Sequence, residues 1–154
     1  TPGELDPEQT ANYAVFQYLI GNVDWAATAG PGGGDCCHNG KLIGKNDERP
    51  VFPIPYDFDS SGLVDAHYAA PPPQLGIRDL RQRIYRGFCA HNAQLPAAVD
   101  RFRQQEAAML ELVGSQEKLS GRSRGMAQRF IESFYKDLDS PEFIQEELID
   151  KCRG

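Results

Sequence analysis

Glycine and proline interrupt positions 21–75 so often that only short regular elements can form there. Five consecutive glycine and proline residues occupy positions 30–34, and three consecutive prolines occupy positions 71–73. Such runs are typical of loops, because proline lacks a main-chain donor and glycine loses the most backbone freedom on ordering. Pro53 and Pro55 restrict residues 51–56 to an edge strand or an irregular segment. Any sheet in this region must therefore be small.

Composition bounds the class of protein. The chain has 154 residues, 40% hydrophobic and 25% charged, which is near the globular average and enough for one domain. Its net charge of −6 opposes the basic footprint of a nucleic-acid binder, so we predict no nucleic-acid partner. No apolar run is long enough to predict a membrane span. Residues 1–6 lack signal-peptide character, and because the first residue is not methionine we expect a fragment of a larger protein.

Helical signals occur at both ends of the chain. Asp6 is a suitable cap and Pro7 a suitable first residue for a helix predicted over residues 7–20. Apolar residues at helical spacing predict three more helices and a short fourth in the second half. These cover, in order, residues 76–89, 96–114 and 126–138, and a short segment beginning at Pro141.

Two short apolar runs predict a β-hairpin between these helical regions. Residues 40–44 and 51–56 flank a turn at residues 46–50. The predicted fold class is therefore mainly α with a small β-hairpin (α+β), in a single domain over residues 1–154. Residues 1–59 would form a helix, a loop and the hairpin, residues 60–75 an irregular linker, and residues 76–154 the helical part.

The order of polar side chains around the hairpin predicts a phosphoryl-transfer site. Asp24 lies in the loop, Asn39 precedes the first strand, and Asp57 follows the second. A hairpin brings Asn39 and Asp57 to the same end, and the glycine-rich loop could fold back to bring Asp24 to them. Carboxylate and amide oxygens suit Mg²⁺. Alternatively, the three residues only cap turns and end strands.

Cysteine spacing leaves the redox state open. Cys36 and Cys37 are adjacent and are not expected to pair across a trans peptide. A bond from one of them to Cys89 and free buried thiols both remain open. A zinc site at Cys36, Cys37 and His38 is disfavoured, because zinc-binding cysteines are usually separated along the sequence.

Several motifs carry a family resemblance over about residues 7–90. They lie at residues 18–25 (YLIGNVDW), 38–43 (HNGKLI), 55–64 (PYDFDSSGLV), 68–71 (YAAP) and 83–89 (RIYRGFC). This pattern resembles a bacterial family similar to the CotH-type spore-coat kinases, which are atypical members of the protein-kinase-like fold. The resemblance implies the C-terminal lobe of a larger, extracytoplasmic kinase, inactive without its N-terminal lobe.

The resemblance also implies roles for individual residues. Asp24 would be the catalytic aspartate, and Asn39 and Asp57 would hold Mg²⁺ on the phosphates of ATP, with Asp59 sharing the metal or replacing Asp57. Trp25 would pack around the site, and His38 would hold the catalytic loop through a ring hydrogen bond. The partners would be a nucleotide and a hydroxyl acceptor of unknown class. The alternative function is a noncatalytic, kinase-like binding or scaffold domain.

Overall fold

The structure, a computed structural model, describes residues 1–30, 33–45 and 48–154. Within these residues it is mainly helical with one two-stranded antiparallel sheet, which confirms the predicted α+β class. The helices are α1 (Pro7–Leu19), α2 (Leu95–Gln104), α3 (Glu106–Gly114), α4 (Gly121–Leu138) and α5 (Pro141–Phe143), and the strands are β1 (Gly40–Ile43) and β2 (Phe52–Pro55). Short 3₁₀ turns cover Pro2–Glu4, Pro73–Leu75 and Cys89–Gln94.

Helix α1 begins and ends where the sequence predicts. Asp6 Oδ1 accepts a hydrogen bond from Gln9 N at 2.7 Å, which satisfies one of the free amide groups of the first turn. The helix stops before Gly21, whose φ of 63° favours glycine. Most of its side chains are buried, because α1 lies in the centre of the hydrophobic core and packs against α2 and the hairpin.

The hairpin also forms as predicted. Strands β1 and β2 are antiparallel, with Gly40 opposite Pro55 and Ile43 opposite Phe52. The turn predicted at residues 46–50 includes Asn46 and Asp47, which lie outside the described residues. Val51 anchors the start of β2, because its amide donates to Glu4 O at 2.9 Å and its carbonyl accepts from Asp6 N at 2.8 Å.

The prediction of a helix over residues 76–89 is wrong. This segment has no regular helix until the 3₁₀ turn at Cys89–Gln94. Ile77, Leu80 and Phe88 are nevertheless buried, as their spacing suggested. The irregular main chain passes close to other segments: a Cβ added at Gly62 would lie 2.5 Å from Leu80 O.

The helix predicted over residues 96–114 is two helices. Gln105 has φ −98° and ψ 2°, and its amide donates to Phe102 O in a tighter turn that ends α2. The break allows α2 to pack on α1 while α3 packs on α4. The third predicted helix is confirmed as α4, and the fourth begins at Pro141 as α5 and continues as a π-helix over Ile144–Ile149. Among the described residues, no helix combines the length and apolar character that crossing a membrane requires.

The cysteine pairs differ from the expectation. Cys36 and Cys37 are bonded to each other across a cis peptide, whereas the expectation assumed a trans peptide. Cys89 pairs with Cys152 and not with Cys36 or Cys37, so neither the bond to Cys89 nor the free thiols that the sequence left open are found. The C-terminal segment returns beside Cys89, whose amide donates to Arg153 O at 2.9 Å, and this contact brings the two sulfur atoms together.

Candidate active site

The loop after α1 places Asp24 through a buried turn. The Asn22 side chain is 1% exposed, and its Oδ1 accepts a hydrogen bond from Asp24 N at 2.9 Å. The main-chain carbonyl of Asn22 accepts a hydrogen bond from Trp25 Nε1 at 3.0 Å. Trp25 is buried and packs edge-on against Tyr13, with ring centroids 4.9 Å apart. The position of Asp24 is therefore set by contacts that reach into the core, and Trp25 is packed in that core directly after it.

The glycine-rich loop folds back on itself, which is the condition under which Asp24 was expected to reach Asn39. Ala26 and His38 exchange two main-chain hydrogen bonds of 2.9 Å each, which close the segment between them. His38 Nε2 then lies 2.7 Å from Asp24 Oδ1. The Asp24 side chain remains 39% exposed and that of His38 34%, so both are accessible to a small molecule. The predicted ring hydrogen bond of His38 is thus made to Asp24 itself.

Asn39 completes a three-residue cluster with Asp24 and His38. Its Nδ2 donates to Asp24 O at 2.8 Å and to Asp24 Oδ2 at 3.1 Å. Both amide hydrogens are therefore directed at Asp24, which fixes the orientation of the amide group. No described residue donates a hydrogen bond to Asn39 Oδ1, so this oxygen can accept one or bind a cation.

The hairpin register places Asp57 at the same end as Asn39. Tyr56 N donates to Asn39 O at 3.2 Å, one step beyond the pairing of Gly40 with Pro55, and Asp57 follows directly. Asn39 and Asp57 both have positive φ, 47° and 59°, so the chain turns sharply at each. The Asp57 carboxylate is exposed and accepts no hydrogen bond from the described residues.

Asp59 is engaged differently from Asp57. Its Oδ2 accepts from the Tyr68 hydroxyl at 3.0 Å, and its Oδ1 accepts from Ser60 Oγ at 3.3 Å. The hydrogen bond to Asp59, followed by the charges of Asp59 and Asp57, raises the pKa of Tyr68. Asp59 is therefore partly satisfied by protein groups, whereas the Asp57 carboxylate has no donor in the part of the chain that the structure describes.

The side-chain oxygen atoms of Asn39 and Asp57 are of the chemical kind that Mg²⁺ binds. Within the described residues, no three His, Cys, Asp or Glu side chains converge to hold a metal. Mg²⁺ typically takes one or two carboxylates and fills its other positions with water and phosphate oxygens. Asn39 Oδ1 and the Asp57 carboxylate provide such a partial set. The sulfur atoms of Cys36 and Cys37 are bonded to each other, which leaves no thiolate pair for zinc there.

An open cleft of about 290 Å³ lies beside Asp24. His38, Gln74 and Arg86 also line it. Arg86 Nη2 donates to Trp25 O at 3.2 Å, so the guanidinium is held next to the loop that carries Asp24. The cleft therefore combines the predicted catalytic carboxylate with a positively charged side chain.

Sequence reasoning missed Asn22 and Arg86. An asparagine two residues before Asp24, directly after a glycine that ends a helix, is a typical side-chain turn signal and could have identified Asn22. No local signal points to Arg86, because its neighbours in the cleft are distant in sequence.

No family model, curated protein or solved structure matches this chain. The functional assignment therefore depends on the geometry of the residues themselves and on the sequence resemblance given above.

Proposed function

We propose that this chain carries the catalytic residues of an atypical kinase, similar to the CotH type, that transfers the γ-phosphoryl group of ATP to a hydroxyl with Mg²⁺. One observation carries the proposal: Asn39 Nδ2 donates to Asp24, while Asn39 Oδ1 accepts no hydrogen bond from the described residues, at the same hairpin end where the exposed Asp57 carboxylate also accepts none from them. The mainly helical fold with a small hairpin suits the C-terminal lobe of a kinase-like protein. The two disulfides suit an extracytoplasmic location.

Each residue has a distinct role in this proposal. Asn39 and Asp57 would hold the metal, with Asp59 nearby as a second carboxylate. A bound magnesium ion supplies positive charge that stabilises the nucleotide phosphates. Asp24 would orient the acceptor hydroxyl and accept its proton. The bond from His38 to Asp24 Oδ1 fixes the carboxylate plane, so the acceptor meets a preoriented group.

One observation favours the alternative, a noncatalytic kinase-like binding domain. Both carboxylate oxygens of Asp24 already have partners, His38 on Oδ1 and Asn39 on Oδ2. A hydroxyl must therefore compete with at least one of these bonds or use a second lone pair. A domain that binds nucleotide without turnover would keep the same contacts.

The metal assignment is tested by titrating the full natural polypeptide with Mg-ATP in a calorimeter. We expect Asp57→Ala to weaken binding on the order of tenfold or more, because losing a charged partner costs about 1.5–3 kcal/mol. Asp65→Ala is the matched control, since Asp65 is also exposed and has a positive φ of 50°. Equal binding by wild type and Asp57→Ala, or no nucleotide binding by the wild type, would refute the metal site.

The two functions are separated by turnover. In the kinase, Asp24→Asn should retain Mg-ATP binding and reduce phosphotransfer on the order of a hundredfold or more, which is typical for loss of a general base. The substitution preserves the shape of the side chain. Nucleotide binding by the wild type with no phosphotransfer or ATP hydrolysis would instead support the binding domain.

A further inference from the structure

Arg86 is a partly buried cation without an anionic partner. Its Nη2 donates to Trp25 O, and its guanidinium carbon lies 5.8 Å from the centroid of the Trp25 ring. Its Nε is buried and finds no acceptor in the described part of the chain, and its Nη1 donates to no described residue. Among the described residues, no carboxylate lies within ion-pairing distance of it. Burial, followed by repulsion from Arg153, lowers the pKa of Arg86, while Asp24 acts in the opposite direction.

Arg83, three residues earlier, shows how this fold satisfies a buried arginine. Its Nε and Nη2 both donate to Leu19 O, at 3.2 and 3.1 Å, and Nη2 also donates to Phe130 O. Its Nη1 donates to Ser133 Oγ at 2.9 Å, and its guanidinium carbon lies 3.8 Å from the centroid of the Phe130 ring. Every nitrogen of Arg83 has a protein partner. Arg86 has one hydrogen-bond partner among the described residues for its three nitrogens.

The missing partner of Arg86 has a place to bind. Arg86 lines the cleft of about 290 Å³ together with Asp24, His38 and Gln74. This volume is near the lower end of small-molecule sites. Burying a charge without a partner is costly, whereas a guanidinium binds carboxylate or phosphate oxygens through two parallel hydrogen bonds. An oxyanion in the cleft would bind Nη1 and the second hydrogen of Nη2, since Nη2 uses one hydrogen for Trp25 O and the buried Nε is out of reach.

We propose that Arg86 binds the anionic group, phosphate or carboxylate, of a small hydroxylated acceptor that occupies this cleft. The anion would hold the molecule at one end, and its hydroxyl would lie beside Asp24. The position of the hydroxyl depends on the proposed phosphotransfer, but the anion site does not. The preferred acceptor class is therefore a small molecule that carries both a hydroxyl and a phosphate or carboxylate group, rather than a neutral glycan or an unmodified serine side chain.

Arginine side-chain NMR tests the anion site without nucleotide or metal. The ¹⁵Nε–¹Hε signals of the chain are followed in EDTA while sodium phosphate or sodium acetate replaces sodium chloride at constant ionic strength. We expect the Arg86 signal, identified by its loss in Arg86→Gln, to shift saturably with at least one of the two anions, and the Arg83 signal to stay in place. The anion that binds more tightly distinguishes a phosphorylated from a carboxylated acceptor.

A second test changes the charge at an exposed position on the rim of the cleft, so that the anion site is tested by a substitution that does not disturb folding. Gln74 is exposed and lines the cleft, whereas Gln82 is exposed and does not. Gln74→Glu should weaken anion binding by about threefold, the size of a single charge repulsion across roughly 6–7 Å in water-like surroundings. Gln82→Glu adds the same charge elsewhere and should have little effect.

The outcomes separate this inference from the proposed function. The anion site is refuted if the Arg86 signal shifts saturably with neither anion, or if Gln82→Glu weakens binding as much as Gln74→Glu. Suppose that the anion binds at Arg86 but that Asp57→Ala leaves Mg-ATP binding unchanged. This result would refute the metal site of the proposed kinase and would support the anion site. The reverse result would keep the kinase and reject an anionic acceptor.

Discussion

Residues 89–154 and residues 20–88 differ in what holds them in place. In the first region, helices bury apolar side chains against one another and against α1; Leu95, Phe134 and Leu138 are all 0% exposed. In the second region, the described regular structure is the hairpin and one 3₁₀ turn. There, side chains bond to the main chain of distant segments, as Arg83 does to Leu19 O and Asn39 does to Asp24 O.

The difference explains where the candidate site lies. Apolar packing is non-directional and roughly proportional to buried area, so it fixes helices but not individual polar atoms. Hydrogen bonds from side chains to carbonyls are directional and fix single groups within a few tenths of an ångström. Loops held in this way on a rigid helical base commonly carry function. Asp24, His38 and Asn39 are all in the region held by such bonds.

The largest expected effect tests residues 89–154, the region that is held by apolar packing between helices. Phe134→Ala removes a fully buried ring and should lower the free energy of unfolding by about 4 kcal/mol, as large-to-small changes of buried aromatics do. Urea denaturation measures it from the shift in midpoint at constant slope. Leu112→Ala is the control, because Leu112 is 62% exposed on α3 and should change stability by less than about 0.5 kcal/mol. Similar losses in both variants would contradict the burial of α4 in the hydrophobic core.

The next effect tests residues 20–88, the region in which side chains form hydrogen bonds to the main chain of distant segments. Arg83→Leu should cost about 2–3 kcal/mol, because it leaves the buried Leu19 carbonyl without its side-chain donor and leaves Phe130 O with the Ser133 hydroxyl as its remaining side-chain donor. Burial lowers the pKa of Arg83 to about 10, so the side chain stays charged at neutral pH. Arg83→Lys should recover little, since one ammonium lacks the planar fork that reaches several acceptors.

Arg78→Leu is the control for Arg83, because Arg78 is exposed and should change stability by less than about 0.5 kcal/mol. Thermal and urea unfolding of the three variants provide the measurement. If Arg83→Leu unfolds at the wild-type midpoint, carbonyl binding does not hold residues 20–88, and the contrast between the two regions is wrong.

The same contrast explains what could be predicted from the sequence. Helix α1 and the hairpin were predictable because their signals are local: a cap at Asp6, a stop at Gly21 and two short apolar runs around a turn. The meeting of Asp24 with Asn39 was predictable only as a consequence of the hairpin and a loop that folds back. That loop contains Pro31 and Gly32, which lie outside the described residues, yet the pairing of Ala26 with His38 closes it.

The sequence predictions are wrong where hydrogen bonds or disulfides to distant segments, rather than the local spacing of apolar residues, determine the structure. Ile77, Leu80 and Phe88 have helical spacing and are buried, but spacing reports burial rather than backbone conformation. Their segment instead follows the acceptors that Arg83 and Arg86 reach, and these acceptors lie some 60 residues away along the chain. The pairing of Cys89 with Cys152 likewise depends on where the C-terminus returns, which no local signal specifies.

The smallest expected effect tests how closely the segment around Gly62 packs against the turn that precedes Asp24. Gly62 N donates to Gly21 O at 3.1 Å, and a Cβ on Gly62 would lie 2.5 Å from Leu80 O and 2.9 Å from Arg81 Cα. Because both close atoms belong to the main chain, Gly62→Ala must displace the backbone, at a cost of about 2 kcal/mol.

The matched control is Gly121→Ala, because a Cβ on Gly121 meets no atom within 4 Å and alanine is favourable at the start of a helix. It should leave stability unchanged or raise it slightly. Gly62→Ala should also perturb the amide signal of Asp24 in NMR spectra, since the displaced segment bears on Gly21 and the turn at Asn22. A destabilised Gly62→Ala variant with an unchanged Asp24 signal would show that the site is positioned from α1 alone, and that residues 61–63 only cover it.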